Sequence, residues 1–391
     1  MWVKHSKILL GKMVLLLAIL LVIGLATSGC IKGLQSVGWS GGIVADGTLF
    51  LGSAEGRLIA VSTADGACQW SEPLAASGSA GGLGCAALPS GLGCAASPAG
   101  VAIYGTPAVA GDLVYIGGYN GKIYAFDSSS LQKRWVYPPE GNLQSIVSGL
   151  VVALGKVYFG CADGKVYALD ADTGVEAWEP FQTGDKIWAT PVIDDGTLYI
   201  SSFDSRVYAL NATTGKKKWE TAEAGGAIAS TPLVYNNTVY FSSLDRYLYA
   251  VDAADGSLKW KSEVEAGSWF WAKPIIYSNT VYAPCLDGKV YILDAESGHE
   301  LAEAIDLGNP VSSSPVLAGS SVIIASDSGR IYSLDTADNQ IKLLADLEEK
   351  IDAPLCASNG VVYVHAQEDE ILHALNAQTG AELWQVSLTS E

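Results

Sequence analysis

The 391-residue chain is 49% hydrophobic and 16% charged, with 43 glycines, enough apolar material for a large core broken by many turns. Its 41 acidic residues against 23 basic ones leave a net charge of −18, and the first 29 residues hold three lysines and no acid, so the remainder is more acidic still. Such a surface repels phosphate backbones and anionic headgroups, which excludes nucleic-acid binding and a peripheral electrostatic role at membranes.

Lys4, Lys7 and Lys12 precede an apolar run over 13–26, and Thr27-Ser28-Gly29-Cys30 follows. A basic start, a short apolar stretch and small residues before a cut define a secretory signal over 1–29. The run is shorter than the roughly 20 residues a membrane-spanning helix needs. Cys30 directly after Ser-Gly resembles the lipobox of bacterial lipoproteins, although Thr27 stands where that pattern has Leu. The resemblance implies acylation of Cys30 and an extracytoplasmic protein anchored on the periplasmic or cell-surface side. Residues 30–38 would be the tether; alternatively, 34–37 could pair with the last strand, 382–388, and lock the fold.

From Trp39 onward one unit repeats. In 190–219 it reads as four short strands: 190–193, then 197–201 after an Asp-Asp-Gly turn, 207–211 after a turn at Asp204-Ser205, and a last strand ending on Trp219. Alternating Val, Ile, Tyr and Leu broken by turn residues every eight to twelve positions is the pattern of an antiparallel meander. Three columns count the copies. A Pro opens most units (107, 191, 232, 274, 315 and 354, with Gly42 and Leu150 in the same slot). An Asp or Asn follows at 127, 170, 211, 252, 294, 335 and 376, with Ser62 in the first copy. A Trp closes the unit at 70, 135, 178, 219, 260 and 384, replaced by Ala302 and Leu343 in copies six and seven. Eight four-stranded copies with a period near 40 predict an all-β, eight-bladed β-propeller of antiparallel blades over 39–391, because a ring of sheets buries faces that one sheet cannot.

The regular spacing breaks once, at 71–103, a Gly/Ala-rich insertion in which GLGCAA occurs around both Cys85 and Cys94. It reads as a surface flap that a Cys85–Cys94 disulfide could pin. Cys161 and Cys285 occupy one strand-end slot in blades three and six, too far apart to bridge, and read as buried thiols. The four histidines are scattered and no cysteine cluster has metal spacing, so no metal site is assigned. Acids seven residues before the Asp/Asn column, such as Asp163, Asp204, Asp245 and Asp287, read as hairpin-turn formers.

The segment Ala168-Leu169-Asp170-Ala171-Asp172-Thr173-Gly174, continuing to Trp178, resembles the tryptophan-docking motif of pyrroloquinoline-quinone (PQQ)-type propellers and recurs across 39–388. Gly permits a positive-φ turn, Asp or Asn caps it, and the Trp wedges between blades. A second aromatic set stands three residues before each opening Pro: Trp39, Tyr104, Trp188 and Trp271, with Trp269 alongside. Where the chain enters the innermost strand, these rings would converge on the mouth of a central funnel and form a binding surface. No general base with a partner is evident, so no catalytic residue is assigned.

Quinoprotein dehydrogenases are similar in their repeats, which admits PQQ as a cofactor. They carry an adjacent Cys-Cys pair and a calcium ligand set, and this chain has no Cys-Cys pair. The lipoprotein propellers of the outer-membrane barrel-assembly machinery are similar in length, lipobox and repeat number. That resemblance implies a non-enzymatic scaffold for other envelope or surface proteins, with no cofactor. A PQQ-dependent dehydrogenase and a carbohydrate or cell-wall binder are the alternatives.

Overall fold

The computed structural model describes residues 40–74 and 101–389, and these form only strands, turns and loops. The strands assemble into eight four-stranded antiparallel sheets, each a meander of consecutive strands. Blades one to eight occupy 43–70, 108–137, 151–182, 192–220, 233–261, 275–306, 316–346 and 356–387. The first strand of blade one (Ile43–Ala45) lies against those of blade two (Ala108–Ala110) and blade eight (Cys356–Ser358), so the ring is closed and the first strands line its axis. In blade four the second and third strands fall at Thr197–Ser201 and Val207–Asn211, as the alternation predicts, while the first and last are Val192–Asp194 and Lys217–Glu220. Both faces of these central strands are buried because each sheet packs on two neighbours. Tyr158 and Val166 of blade three, for example, share a core with Leu198 and Ile200 of blade four.

The Trp column explains how neighbouring blades hold together. The indole Nε1 of Trp135 donates to the Ala171 carbonyl of the next blade at 3.0 Å, and the second-strand Tyr115 hydroxyl donates to the same oxygen at 3.2 Å. Trp219 and Tyr199 repeat this on Ala253 (3.0 and 3.3 Å), and Trp260 and Tyr240 on Ala295 (both 3.0 Å). The accepting residue directly follows the Asp or Asn of its turn, whose side chain fixes the loop; Asn211 Oδ1 accepts from the Thr214 amide at 2.9 Å. The turn glycine then sits beneath the ring. Gly215 has φ +71°, and a Cβ on it would lie 2.6 Å from the Trp178 indole. Backbone conformation and indole contact therefore both demand glycine there.

One member of the column departs from the expected wedge. Where Trp docks in blades two, four, five and eight, a β-bulge in the last strand pair brings the ring opposite the third-strand alanine, as in Ala209↔Trp219. Blade one has no bulge: Ala60 pairs with Gln69 and Trp70 with Ile59. A one-residue slip turns a side chain to the other face, so Trp70 packs against the core that blade one shares with blade eight, Tyr363 included, and only borders a cavity of about 450 Å³ on the blade-two side. The turn it would have covered has Leu131 at φ +53° in place of glycine. Blade seven likewise keeps a positive φ at Asn339 (+57°), opposite Ala302 of blade six, and Tyr282 donates to the Asn339 side chain at 3.3 Å.

Blade eight closes on blade one by the same device, Trp384 Nε1 donating to the Thr63 carbonyl at 3.2 Å over Gly66. Its second and third strands, Val361–Ala366 and Ile371–Asn376, pair out to Ala366↔Ile371, so the extra residues lengthen the hairpin through the turn over 367–370. The lengthened hairpin buries His365 and Glu370 at the seam, where His365 Nδ1 meets the Ser40 carbonyl at 3.3 Å and Glu370 accepts from the Ala54 amide at 3.1 Å. The last strand, Glu382–Ser387, pairs within its own blade; the expectation for 34–37 lies outside the described residues.

Trp219→Ala is expected to cost about 3–5 kcal/mol in denaturant unfolding, and Trp70→Ala clearly less, since Trp70 makes no indole hydrogen bond to blade two among the described residues. Equal losses would contradict the register argument. A second expectation concerns acid. Hydrogen bonds hold the carboxyls of Asp170 (Thr173 hydroxyl first), Asp252 (Ala254 amide first) and Asp294 (Ser297 hydroxyl first) below their ordinary value. A depressed folded-state pKa gives stability that is complete above the unfolded value of about 3.9 and is lost as pH falls through the folded value. Replacing all three by Asn, the residue at 211 and 376, should flatten the Tm-versus-pH curve below about pH 4.

Candidate functional site

Because each blade is an antiparallel meander, the loop into its first strand and the turn between its second and third strands emerge on one side of the ring, here termed the upper face. The turn acids of the sequence analysis stitch that face together. Asp204 Oδ2 accepts from the Gly184 amide of the preceding inter-blade loop and from the Tyr208 hydroxyl, both at 2.6 Å. Asp245 does the same with Gly225 (3.0 Å) and Tyr249 (2.5 Å), and Asp287 with Gly267 (2.8 Å) and Tyr291 (2.7 Å). These carboxylates form the turns and also anchor each incoming loop.

On this scaffold the structure brings three of the five predicted aromatics to one place. Tyr104, Trp188 and Trp271 line an axial cavity of about 100 Å³ together with Thr106, Thr190 and Thr231. Trp188 and Trp271 come from blades four and six yet meet edge-to-face, centroids 6.1 Å apart at 68°. They can do so because blade five, between them, carries only Ala229 in that slot. Phe203 abuts Trp188 at 4.7 Å, and the Lys186 ammonium lies over both rings at 4.6 and 4.5 Å, a cation–π arrangement. Tyr104 packs instead on Tyr119, centroids 5.2 Å apart. Trp269 is not in the cavity; its ring is 53% exposed, and its carbonyl accepts from the Leu286 amide at 3.1 Å. Trp39, Cys30, Cys85 and Cys94 lie outside the described residues.

Beside the aromatics is a polar cleft of about 250 Å³, lined by Trp271, Leu286, Ser312, Asp327, Lys350 and Asp352. Lys350 pairs with Asp352 at 2.6 Å. The Ser312 hydroxyl lies 2.7 Å from Asp327 and 3.0 Å from Asp352, and burial pushes the Asp327 carboxyl up. Sequence reading missed this cleft, because Ser312 and Ile351 are the non-aromatic members of the funnel slot and Asp327 stands one residue before the acid column. The only available signal was that two acids and a lysine fall near that slot in consecutive copies.

The axial cavity does not fit a flat tricyclic quinone. It is small, its two indoles meet edge-on rather than as parallel walls, and among the described residues no three His, Cys, Asp or Glu side chains cluster as a metal site. Cys161 and Cys285 are buried free thiols whose Sγ–H groups donate to the Gln144 and Ser268 carbonyls at 3.4 and 3.3 Å, and burial pushes both up to about 12.

A closed ring of eight blades, five of them docked by a tryptophan on the next, with an aromatic upper mouth defines a propeller of the PQQ-like repeat class. The chain belongs to the family described as outer membrane protein assembly factor BamB, whose profile matches residues 27–225 and 182–386. Among solved structures, BamB from Moraxella catarrhalis is 19% identical with a TM-score of 0.69, covering 86% of this chain and 95% of its own. The computationally designed Ika8 protein is 16% identical with a TM-score of 0.70, covering 88% and 97%. Quinohemoprotein alcohol dehydrogenase from Comamonas testosteroni is 16% identical with a TM-score of 0.60, covering 73% and 67%. At these identities the likenesses speak to fold. No functionally curated protein matches the chain.

With their pKa values raised, Cys161 and Cys285 should resist iodoacetamide at pH 8 in the folded protein and react after unfolding, as read by peptide mass spectrometry. Rapid native labelling would show that the strand-end slots open to solvent.

Proposed function

We propose that the protein is a lipid-anchored, extracytoplasmic, non-enzymatic scaffold that docks a protein partner on its upper face within an envelope or surface complex. Membership of a family named for outer-membrane assembly supports the class of role. The leader with Lys4, Lys7 and Lys12 ahead of an apolar run, and Cys30 after it, supports the anchor. The observation that carries the docking face is Trp269. A half-exposed indole is held beside Trp271, on loops pinned by the Asp287 carboxylate, where a large ring can enter a partner at little entropic cost.

Cross-linking mass spectrometry on native membranes is expected to place partner contacts on the upper-face loops near 186–188, 203, 269–271 and 350–352. Trp269→Ala should weaken capture of that partner by about tenfold or more, as for an interface hot spot, with Tm unchanged. Cross-links confined to the opposite face, or capture indifferent to Trp269, would overturn the docking assignment. Cys30→Ser should abolish fatty-acid labelling and release the protein from the membrane fraction; retained labelling would overturn the anchor.

A further inference from the structure

Ring closure sets a demand that no other interface has. From blade one to blade eight the chain itself runs from each blade into the next, but no chain crosses from blade eight back to blade one, so that seam is held by non-covalent contacts alone. His365 stands near the end of the blade-eight second strand, opposite Leu372. In the other blades that slot holds Gly, Ser, Pro or Ala, as with Gly160, Ser201 and Ala325. A small residue lets the next blade's incoming loop come close; a Cβ on Gly160 would lie 2.1 Å from Ile187. Blade eight instead sets an imidazole against the loop entering blade one.

His365 and Glu370 are only 4% and 7% exposed. His365 Nδ1 lies 3.3 Å from the Ser40 carbonyl, which can only accept, so that nitrogen carries the hydrogen. In the neutral ring Nε2 is then a bare acceptor, and it stands 3.6 Å from Glu370 Oε2. An ionised carboxylate also only accepts. Two buried acceptors therefore face each other across the gap. His365 Nε2 and Glu370 Oε1 have no hydrogen-bond partner among the described residues, and Oε2 takes the Ala54 amide of blade one at 3.1 Å.

The neighbouring elements do not supply the missing hydrogen. Blade one's second and third strands, Thr48–Gly52 and Leu58–Ser62, carry no titratable side chain, and Glu55 and Arg57 in the turn between them pair with each other at 3.5 Å. On blade eight, Glu368 and Asp369 precede Glu370 in the turn. Lys350 of the incoming loop pairs with Asp352 at 2.6 Å, and His373 with Glu382 at 2.7 Å. Burial pushes the Cys356 thiol of the first strand up to about 11. None of them gives a donor to Nε2 or Oε1. A single added proton would: on either partner it turns the facing acceptors into a hydrogen bond, while Nδ1 keeps Ser40 and Oε2 keeps Ala54. Such a proton belongs to the pair and not to one residue.

We propose that the seam between blades eight and one is a proton-operated latch, closed by one proton held between His365 and Glu370 and loosened when that proton leaves. A site that binds a proton in the closed ring and releases it on opening strengthens closure as pH falls and weakens it as pH rises. An unfolded histidine loses its proton near pH 6.5, so the loosening belongs above about that value. The inference does not rest on the scaffold reading, because the latch concerns closure of the ring and not what the upper face binds.

The test is hydrogen–deuterium exchange mass spectrometry on the intact protein between about pH 6 and pH 9, in EDTA, with rates corrected for the intrinsic exchange of free amides. Peptides covering 40–54 and 361–371 should lose protection as pH rises, by up to about tenfold per pH unit, the ceiling for one proton. Peptides at the interface of blades four and five, over 198–210 and 228–242, should stay level. His365→Gln and Glu370→Gln should each flatten the dependence at the seam, and His373→Gln should keep it. Seam protection that ignores pH in the wild-type protein, or follows pH equally in His365→Gln, would overturn the latch. So would a pH dependence seen only when EDTA is replaced by Zn²⁺, which would assign the gap to a metal ion. The wild-type series needs no variant, so a variant that fails to fold leaves the test intact, and capture at Trp269 is scored separately.

Discussion

The structure depends on a single carbonyl oxygen at each of four consecutive blade interfaces, those on Ala171, Ala212, Ala253 and Ala295. That oxygen, on the residue following the Asp or Asn of the third-to-fourth-strand turn, receives an indole N–H and a phenol O–H from the preceding blade, as Ala253 does from Trp219 and Tyr199. Two large aromatic side chains are thereby buried with their polar atoms satisfied, the condition under which Trp and Tyr stabilise a core rather than burden it. The same turn must present a glycine to the indole face, so hydrogen bond, wedge and backbone conformation are one coupled requirement. At two interfaces one member is lost together with another, whereas Gly380 is kept opposite Leu343 because the Leu344 backbone takes the indole's place. Where Ala302 replaces the tryptophan in blade six, the facing turn has Asn339, and where the turn has Leu131, Trp70 sits in the opposite register.

Blade seven shows how an interface holds without the wedge. It carries Leu343 where its neighbours have tryptophan, and that side chain is about half exposed. The Leu344 backbone lies directly on Gly380 of blade eight, and the interface gains ties nearer the axis in the Ser312-Ser313-Ser314 run: Ser312 bridges Asp327 and Asp352, Ser313 donates to the Ala353 carbonyl at 2.7 Å, and the Ser314 carbonyl accepts from the Leu355 amide at 3.1 Å. Polar ties near the axis thus add to a close backbone contact that takes the place of the indole further out. A consequence is that the polar cleft on the upper face sits beside the unwedged blades, so the chemistry available to a ligand there follows from how those blades are held.

Much of the ring was readable from the sequence because its requirements are local. A positive-φ glycine, a capping Asp or Asn and a Trp at fixed spacing are short-range demands repeated often enough to be counted. Registers that depend on a bulge were not readable. Trp70 has the spacing of the other docked tryptophans, yet the missing bulge in blade one turns it to the other face, and no residue type in that strand announces the difference. The candidate site was legible in part for a similar reason. Tyr104, Trp188 and Trp271 share a slot that a periodic count identifies, whereas Asp327, Lys350 and Asp352 come together only through ring closure around blades six to eight.

Repetition also makes exceptions informative. Seven of the eight residues directly before the opening Pro slots are Gly, Ala, Ser or Thr, because the first strands approach one another around the axis and leave room for little more. Packing alone would favour a similarly small residue in blade six. A lysine there brings a long chain and a charge into a position where neither helps one blade hold the next, since that contact is already made by the Lys273 backbone amide on Ser314. His365 at the blade-eight seam is a second exception: its Nδ1 reaches the Ser40 carbonyl, while its buried Nε2 stands 3.6 Å from Glu370 with no hydrogen-bond partner among the described residues. The Lys273 side chain makes no ion pair among the described residues and burial lowers its pKa, so this exception serves the ring through its backbone amide on Ser314 and not through its charge.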